Sequence, residues 1–448
     1  MQNSATTPPP HRISPLTATA IVVANMVGVG VFTSLGFQVG PLPSPFAILL
    51  LWTLGGLVAL CGALSYAELA TALPRSGGEY HFLSKIYHPS LGFVAGCLSG
   101  SVGFAAPSAL LAIAFANYLS NTFPSLHLHP TATSLSLLWL VTLAHLRGLR
   151  LGSALQNLWT WANLALILTF IFTGFLSTSP QPISFSPKLS DWPLIASAPF
   201  AVSLVYVMYA YSGWNASTYI VNEIHHPERN VPRSIFFGTL IVLALYLALN
   251  SLFLYTTPLS ALDGKIDVAL IAGRHIFGEN GARLVASLLC VGLVASISSM
   301  TWIGPRVLAT MGEDFPPLRC FSHLSPRNQL PTNALLFQSL IASLLILTSS
   351  FETVLTYTGF SLAACSFLTV LGLIILRFRQ PLLPRPYRTF AYPLTPLLFL
   401  AVNAWMLYHL ASSKPLVSLY SVATMLAALL IYFLYHQLFT PKNSSLPL

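Results

Sequence analysis

The chain has 448 residues, 55% of them hydrophobic and only 7% charged, with a mean hydropathy of +0.73. A soluble domain carries about 25% charged residues, so this composition excludes a water-surrounded globule and points to a protein that crosses a membrane repeatedly. The net charge of +9 would suit an acidic partner such as nucleic acid, so the distribution of the charges has to decide what it means.

Apolar runs, read against proline, glycine and charge punctuation, predict twelve helical spans: 15–38, 45–72, 91–120, 131–146, 153–177, 194–221, 232–257, 282–309, 333–350, 352–377, 393–412 and 416–438. A run of about 18 or more apolar residues is long enough to cross a ~30 Å hydrocarbon core as a helix. The first span follows only Arg12 and exceeds a signal-peptide core, so it is expected to remain in the chain. Ser349, Ser350 and Glu352 separate the ninth span from the tenth. The polar connections leave no room for a soluble domain, and short tails, 1–14 and 439–448, flank the spans.

Placing the N-terminus in the cytoplasm leaves only Lys188, Lys265, Arg274, Arg283 and Lys414, of 20 Lys and Arg residues, on the outside. This is the positive-inside pattern, with both termini cytoplasmic, of an integral protein of the cell (cytoplasmic or inner) membrane. The basic balance therefore reads as orientation in a lipid bilayer and not as a nucleic-acid patch.

Two spans are interrupted at their middles. In the first, Gly28-Val29-Gly30 breaks the apolar run; in the sixth, "YAYSGWNAS" (209–217) places Ser212 and Gly213 between aromatics. Each glycine weakens a helix interior by roughly 1 kcal/mol relative to alanine. Small residues also permit tight helix packing, so a GxG alone does not decide between packing and function. The matching interruption does, because the two spans occupy corresponding positions if the chain is two five-span repeats plus two extra spans. Five is odd, so the repeats are inverted, and matched breaks in inverted repeats point to a transporter's binding site. Unwinding frees backbone N–H and C=O groups that lipid cannot satisfy and a polar ligand can. A half-helix N-terminus suits a carboxylate, and freed carbonyls suit an ammonium.

Several motifs, in order, resemble the amino acid–polyamine–organocation (APC) superfamily, especially its amino-acid permease branch. They are "GVGVF" (28–32), "SYAELATALPRSGGEYHFLSKIYHPSLGFVAG" (65–96), "YSGWNASTYIVNEIHHPERNVPRSI" (211–235), "GPRVLATMGEDFPP" (304–317) and "RFRQPLLPRPYRTFAYPLTPLLF" (377–399). The resemblance spans residues 14–440. It implies an all-α membrane protein of about twelve transmembrane helices with a LeuT-like five-plus-five inverted repeat: 15–177 and 194–377, followed by 393–438. It further implies alternating access, with the substrate carboxylate on the backbone of Val29, Gly30 and Val31. The α-ammonium would lie on the carbonyls of Tyr209, Ala210 and Ser212. Tyr209 would be an aromatic gate, Gly213 the break, and Trp214 and Asn215 its braces. Many relatives carry a lysine in the fifth helix; Asn163 stands at the matching place here, which removes a titratable charge from that position. Coupling could instead use a proton, a counter-substrate, or a sodium ion on helix-one carbonyls and the hydroxyls of Ser298 and Ser299.

Acidic residues are absent from the predicted midplane, where a lone charge costs about 2.5–3.5 kcal/mol, so a neutral amino acid is the expected substrate. A polyamine or organic-cation carrier, or a non-transporting amino-acid sensor of the same fold, are the alternatives. Ser101, Phe104, Ser299, Thr358 and Ser361 are candidates for the side-chain pocket. Glu68 and Arg75 form a candidate inner gate, while Glu79 reads as part of a surface ion pair. The five scattered cysteines show no CxxC, the twelve histidines no metal spacing, and no Walker or GxSxG motif occurs. No enzyme activity, cofactor or metal is therefore expected, and a monomer or a dimer is compatible with one chain that carries the whole site.

Overall fold

The structure is a computed structural model that describes residues 13–75, 77–147, 153–176, 180–182, 184–221, 224–325 and 330–439. Nearly all of both expected tails, 1–12 and 440–448, lies outside the described residues.

Serine followed by proline starts the first two spans. Ser14 accepts a hydrogen bond from the Thr17 amide and caps α1 (Pro15–Met26). Ser44 accepts from the Ala47 amide in the same way and caps α3 (Pro45–Ala72). Proline at the first helical position has no amide to leave unpaired, and its fixed φ already suits a helix. Between them α2 (Val29–Thr33) runs into a 3-10 turn, Ser34–Phe37, completing the interrupted first span. The short α4 (Glu79–Ile86) precedes α5 (Pro89–Leu98), a π-helical turn at Ser99–Gly103, and α6 (Ala105–Thr122), which together make the third span. Then come α7 (Pro130–Leu146) and α8 (Ser153–Phe175).

The sixth span departs furthest from a single helix. A 3-10 turn and α9 (Trp192–Ile195) meet α10 (Ala198–Ala210) at a 69° bend, and beyond Ala210 the chain turns before a 3-10 segment, Ala216–Tyr219. It is followed by α11 (Pro227–Thr256), α12 (Leu259–Leu262) and α13 (Val268–Asp314). α13 is longer than the predicted 282–309 because a leading segment is joined to it across Gly278 (φ +70°, ψ −175°). The remaining helices, α14 (Thr332–Thr348), α15 (Phe351–Arg379), α16 (Leu394–Ser413) and α17 (Pro415–Phe439), fall close to the expected boundaries.

The described residues contain no strand, only the isolated bridges Ile13–Ile224 and Leu324–Pro331. Among the described residues eight helices are long and apolar enough to cross a membrane, or nine if the bent pair counts as one span; Pro130–Leu146, Trp161–Phe175 and Thr332–Thr348 are apolar but shorter. The helices sort into two packed groups. In one, α11 packs against α1 and α3, and α3 against α10; in the other, α6, α7, α13 and α14 all touch one another. The small α2 lies between them, against α10, α6 and α13.

Candidate functional site

The two interruptions lie side by side. α1 ends at Met26 and α2 begins at Val29, with Gly28 extended between them (φ −131°, ψ −155°). Any residue adopts that backbone, and a Cβ there would approach only the Met26 carbonyl oxygen, at 4.0 Å. Gly30 is different: a Cβ would sit 2.7 Å from the Ala210 Cα, so this glycine is where the first broken span presses on the end of α10. After Ala210 the chain turns through Gly213 at φ +99°, where a Cβ would lie 2.7 Å from the carbonyl oxygen of Asn25. That φ is left-handed backbone natural only to glycine. The breaks thus touch at Gly30–Ala210 and again at Gly213–Asn25.

Freed backbone groups are shared among protein donors. Tyr246 of α11 directs its hydroxyl at the Met26 carbonyl (2.6 Å) and the Ala210 carbonyl (3.1 Å). Tyr118 of α6 donates to the Phe32 carbonyl (3.1 Å) and accepts from the Ala269 amide (3.2 Å). The Val29 carbonyl accepts from the Thr33 hydroxyl (2.9 Å), and the Tyr209 carbonyl from the Ser212 amide (2.9 Å). Of the two carbonyls expected to receive the ammonium, that of Tyr209 also takes the Tyr211 amide and so has both lone pairs engaged, while that of Ala210, bonded by Tyr246, keeps one further lone pair. Val29, Gly30 and Val31 form the first turn of α2, whose amides have no intrahelical acceptor.

Aromatic residues on the neighbouring helices fix this geometry. Trp52 donates to the Gln38 side chain (2.9 Å), accepts from Tyr211 at its carbonyl (3.2 Å), and meets the Tyr246 ring edge-on. Trp214 is 4% exposed and packs edge-on against Tyr66, with centroids 4.6 Å apart, so it braces the second break by packing. The Asn215 carbonyl closes the following turn by accepting from the Thr218 amide (2.9 Å) and hydroxyl (2.7 Å). Tyr209 is 7% exposed, within the core.

Asn163 of α8 reaches the first break. It lines a small cavity with Gly28, Val29, Phe32, Tyr118, Leu289, Gly292, Leu293 and Ser296. Ser298 does not join it: its hydroxyl bonds His145 Nε2 of α7 at 2.8 Å, and Ser299 is not part of the lining. Ser296 is the α13 hydroxyl at the cavity, and sequence reasoning missed it. The Gly292–Ser296 spacing of four was the available signal, since residues four apart share a helix face. Of the pocket candidates, Ser101 and Thr358 bond their own helices at Cys97 and Val354, and Phe104 packs on Gly304. The Ser361 hydroxyl is buried with no partner among the described residues.

The acidic residues are arranged otherwise than the sequence suggested. Glu68 is fully buried and pairs with Arg377 (2.6 Å) and Arg385 (3.3 Å), not with Arg75, and it also accepts from the Thr389 amide (2.7 Å). Arg75 lies 3.7 Å from Asp314 on the surface. Glu79 makes no surface ion pair: it is 4% exposed and accepts hydrogen bonds from the Tyr66 and Ser366 hydroxyls. Burial pushes its carboxyl above the usual carboxylate range, against the pull of those two bonds. At the other end of the helices Glu352 pairs with Lys414 and accepts from Tyr206 (2.9 Å).

Residues 13–446 match the family model described as amino acid permease. The b(0,+)-type amino acid transporter 1 of Homo sapiens is 28% identical, over 97% of this chain and 90% of its own length. The large neutral amino acids transporter small subunit 2 of Mus musculus is 27% identical, over 94% of this chain and 80% of its own. The Asc-type amino acid transporter 1 of Mus musculus is 26% identical, over 94% and 81%. With the match extending over nearly its whole length, the chain belongs to the amino acid permease family.

Proposed function

We propose that this chain is a secondary transporter that moves a neutral amino acid across the cell membrane by alternating access. The observation that carries the reading is the pair of facing breaks, joined at Gly30–Ala210 and Gly213–Asn25, at the one place where two unwound backbones adjoin. The first-turn amides of α2 would take the carboxylate, and the carbonyls of Tyr209, Ala210 and Ser212 the ammonium, with Ser361 an unused buried hydroxyl close in sequence to Thr358. The relatives' names, all amino acid transporters, support the substrate class.

The helix grouping supports the inverted repeat. Counting the three shorter apolar helices as spans gives twelve, and each packed group then pairs members at corresponding positions: first with sixth and second with seventh, third with eighth and fourth with ninth. Such pairing is expected when two repeats rock against each other about a central site. The repeats run 15–177 and 194–377, with 393–438 appended, and both termini face the cytoplasm by the positive-inside count.

A neutral substrate is supported by where the carboxylates lie. Glu68 is held by arginines, Glu79 by hydroxyls, Glu352 by Lys414, and Asp267 by Asn121 (3.0 Å), none of them at the breaks. Uptake of radiolabelled amino acids into proteoliposomes tests the reading, using neutral and cationic panels, internal amino acid, and imposed proton or sodium gradients. Accumulation of a neutral amino acid is expected. Transport of organic cations alone, or of nothing by folded protein, would overturn it in favour of a cation carrier or a sensor.

A further inference from the structure

Glu79 begins the short helix α4, and two glycines decide where that helix goes. Gly77 (φ +128°) and Gly78 (φ +54°) turn the chain after α3 so that α4 packs against α5 and α15. At Gly78 a side chain would collide with the Tyr219 ring, so the turn is pressed onto the segment that follows the second break. The Glu79 carboxyl enters the space this leaves. One oxygen, Oε1, accepts from both the Tyr66 hydroxyl of α3 and the Ser366 hydroxyl of α15, so three elements meet on a single atom.

Among the described residues no cation pairs with this carboxyl. From α3, the groups facing it are Tyr66 and, two residues on, Glu68, which is committed to Arg377 and Arg385. From α15 they are Ser366 and Cys365, while Arg379 bonds the Ile86 carbonyl (3.2 Å). Tyr219 faces it from beyond the second break. In the turn before α4, Arg75 lies toward Asp314; on α4 itself Lys85 is exposed in the last turn, and His81 is buried with its pKa pushed down to about 4 by burial, Arg75 and Lys85. α5 contributes no charged residue. An ionised carboxylate held by neutral hydroxyls alone is costly, whereas the protonated acid is not. With both hydroxyls on Oε1, the proton belongs on Oε2.

We propose that Glu79 is a proton-binding site whose occupancy holds α4 closed against α3 and the second half of α15, so that closing takes up a proton and opening releases it. This rests on the alternating-access reading of the breaks. The carboxyl touches Tyr66, Tyr66 packs on Trp214, and Trp214 directly follows Gly213, so a motion at the second break disturbs the acid through one ring pair. When α4 leaves, water reaches the carboxyl and its pKa returns to the ordinary carboxylate value near 4.3. The closed form then binds the proton more tightly than the open one. Closing is therefore favoured at low pH, and the closed-to-open ratio falls by up to about tenfold per pH unit from the ordinary carboxylate value up to the raised value of the closed form. Opening would also expose His81 of the same helix and return it from about 4 toward its usual value near 6.5, a proton uptake that opposes the release from Glu79 below that pH, so the Glu79 contribution is read as the difference from Glu79→Gln, which retains His81.

Hydrogen–deuterium exchange of the 77–87 peptide, in full-length protein in lipid nanodiscs and corrected for intrinsic exchange, measures the opening directly. Relative to Glu79→Gln, which keeps the shape, cannot ionise and retains the same His81 response, wild-type exchange should rise with pH above the carboxylate range. Tyr66→Phe removes a hydroxyl that favours the ionised form, so its midpoint should move to higher pH. A wild-type profile that runs parallel to that of Glu79→Gln would overturn the proposal. Should Glu79→Gln fail to fold, the direction of the Tyr66→Phe shift decides alone: an unmoved or lowered midpoint overturns it. Neither readout needs a transported substrate. Failure of uptake thus counts against the transporter reading, and an exchange profile parallel to that of Glu79→Gln in a chain that does transport counts against this one.

Discussion

Gly28 and Gly213 interrupt the two broken spans for different physical reasons. At Gly28 the backbone is extended and open, so the glycine leaves space beside a cavity that Asn163 and Ser296 also line. At Gly213 the backbone is left-handed and pressed on the Asn25 carbonyl, so the glycine is required by the chain itself. The first break is thus permissive and the second obligatory. A ligand-facing gap and a structural hinge look alike in sequence, as a glycine in an apolar run, and differ only in φ and in what adjoins the missing Cβ.

Substitutions separate the two cases. Gly213→Ala should have the largest effect, destabilising the chain by about 3 kcal/mol through a strained φ and a backbone clash, read as a lower Tm in detergent together with loss of uptake. Next comes Tyr246→Phe, which removes the donor to both the Met26 and the Ala210 carbonyls and should cost about 1–3 kcal/mol in the same unfolding assay. Gly30→Ala overpacks the contact with Ala210 by a similar or smaller amount, about 1–2 kcal/mol, and Ala210→Gly in the same chain should partly restore the Tm by relieving its Cβ. Gly28→Ala should be the mildest, within about 0.5 kcal/mol of wild type in stability, while raising the KM for uptake. An unfolding defect in Gly28→Ala equal to that of Gly213→Ala would break the contrast. A KM effect confined to Gly28 would sharpen it.

The second span, read as 45–72, is α3 to the residue, because its Ser-Pro start and uninterrupted apolar run leave little to decide. The positions of the breaks were legible for the opposite reason: glycine, alone or with neighbouring polar residues, clusters near the middle of each of those two apolar runs. What escaped were choices of direction. Ser298 and Ser296 differ by two residues, which on a helix is about 200° of rotation, and only tertiary packing shows that the former faces His145 and the latter the cavity. The "SGGEY" stretch looks like a solvated turn, yet two positive-φ glycines carry Glu79 into the interior. Glu68 found its arginines more than 300 positions away, at Arg377 and Arg385, where no local spacing could pair them.

Tyr246 brings one hydroxyl proton to two carbonyls that belong to different broken helices. A single proton cannot fully serve both once they separate. The bond to Met26, at 2.6 Å, is the shorter, and the one to Ala210, at 3.1 Å, the longer. Were the two segments to part, the shorter bond would keep the tyrosine with the end of α1 and release α10. The carbonyl released would be that of Ala210, one of those the proposed site gives to the substrate's ammonium, so the same event would vacate an acceptor for the cargo. On that proposal, arrival of an amino acid and departure of the tyrosine would be two sides of one exchange, and an empty carrier would have a reason to remain shut.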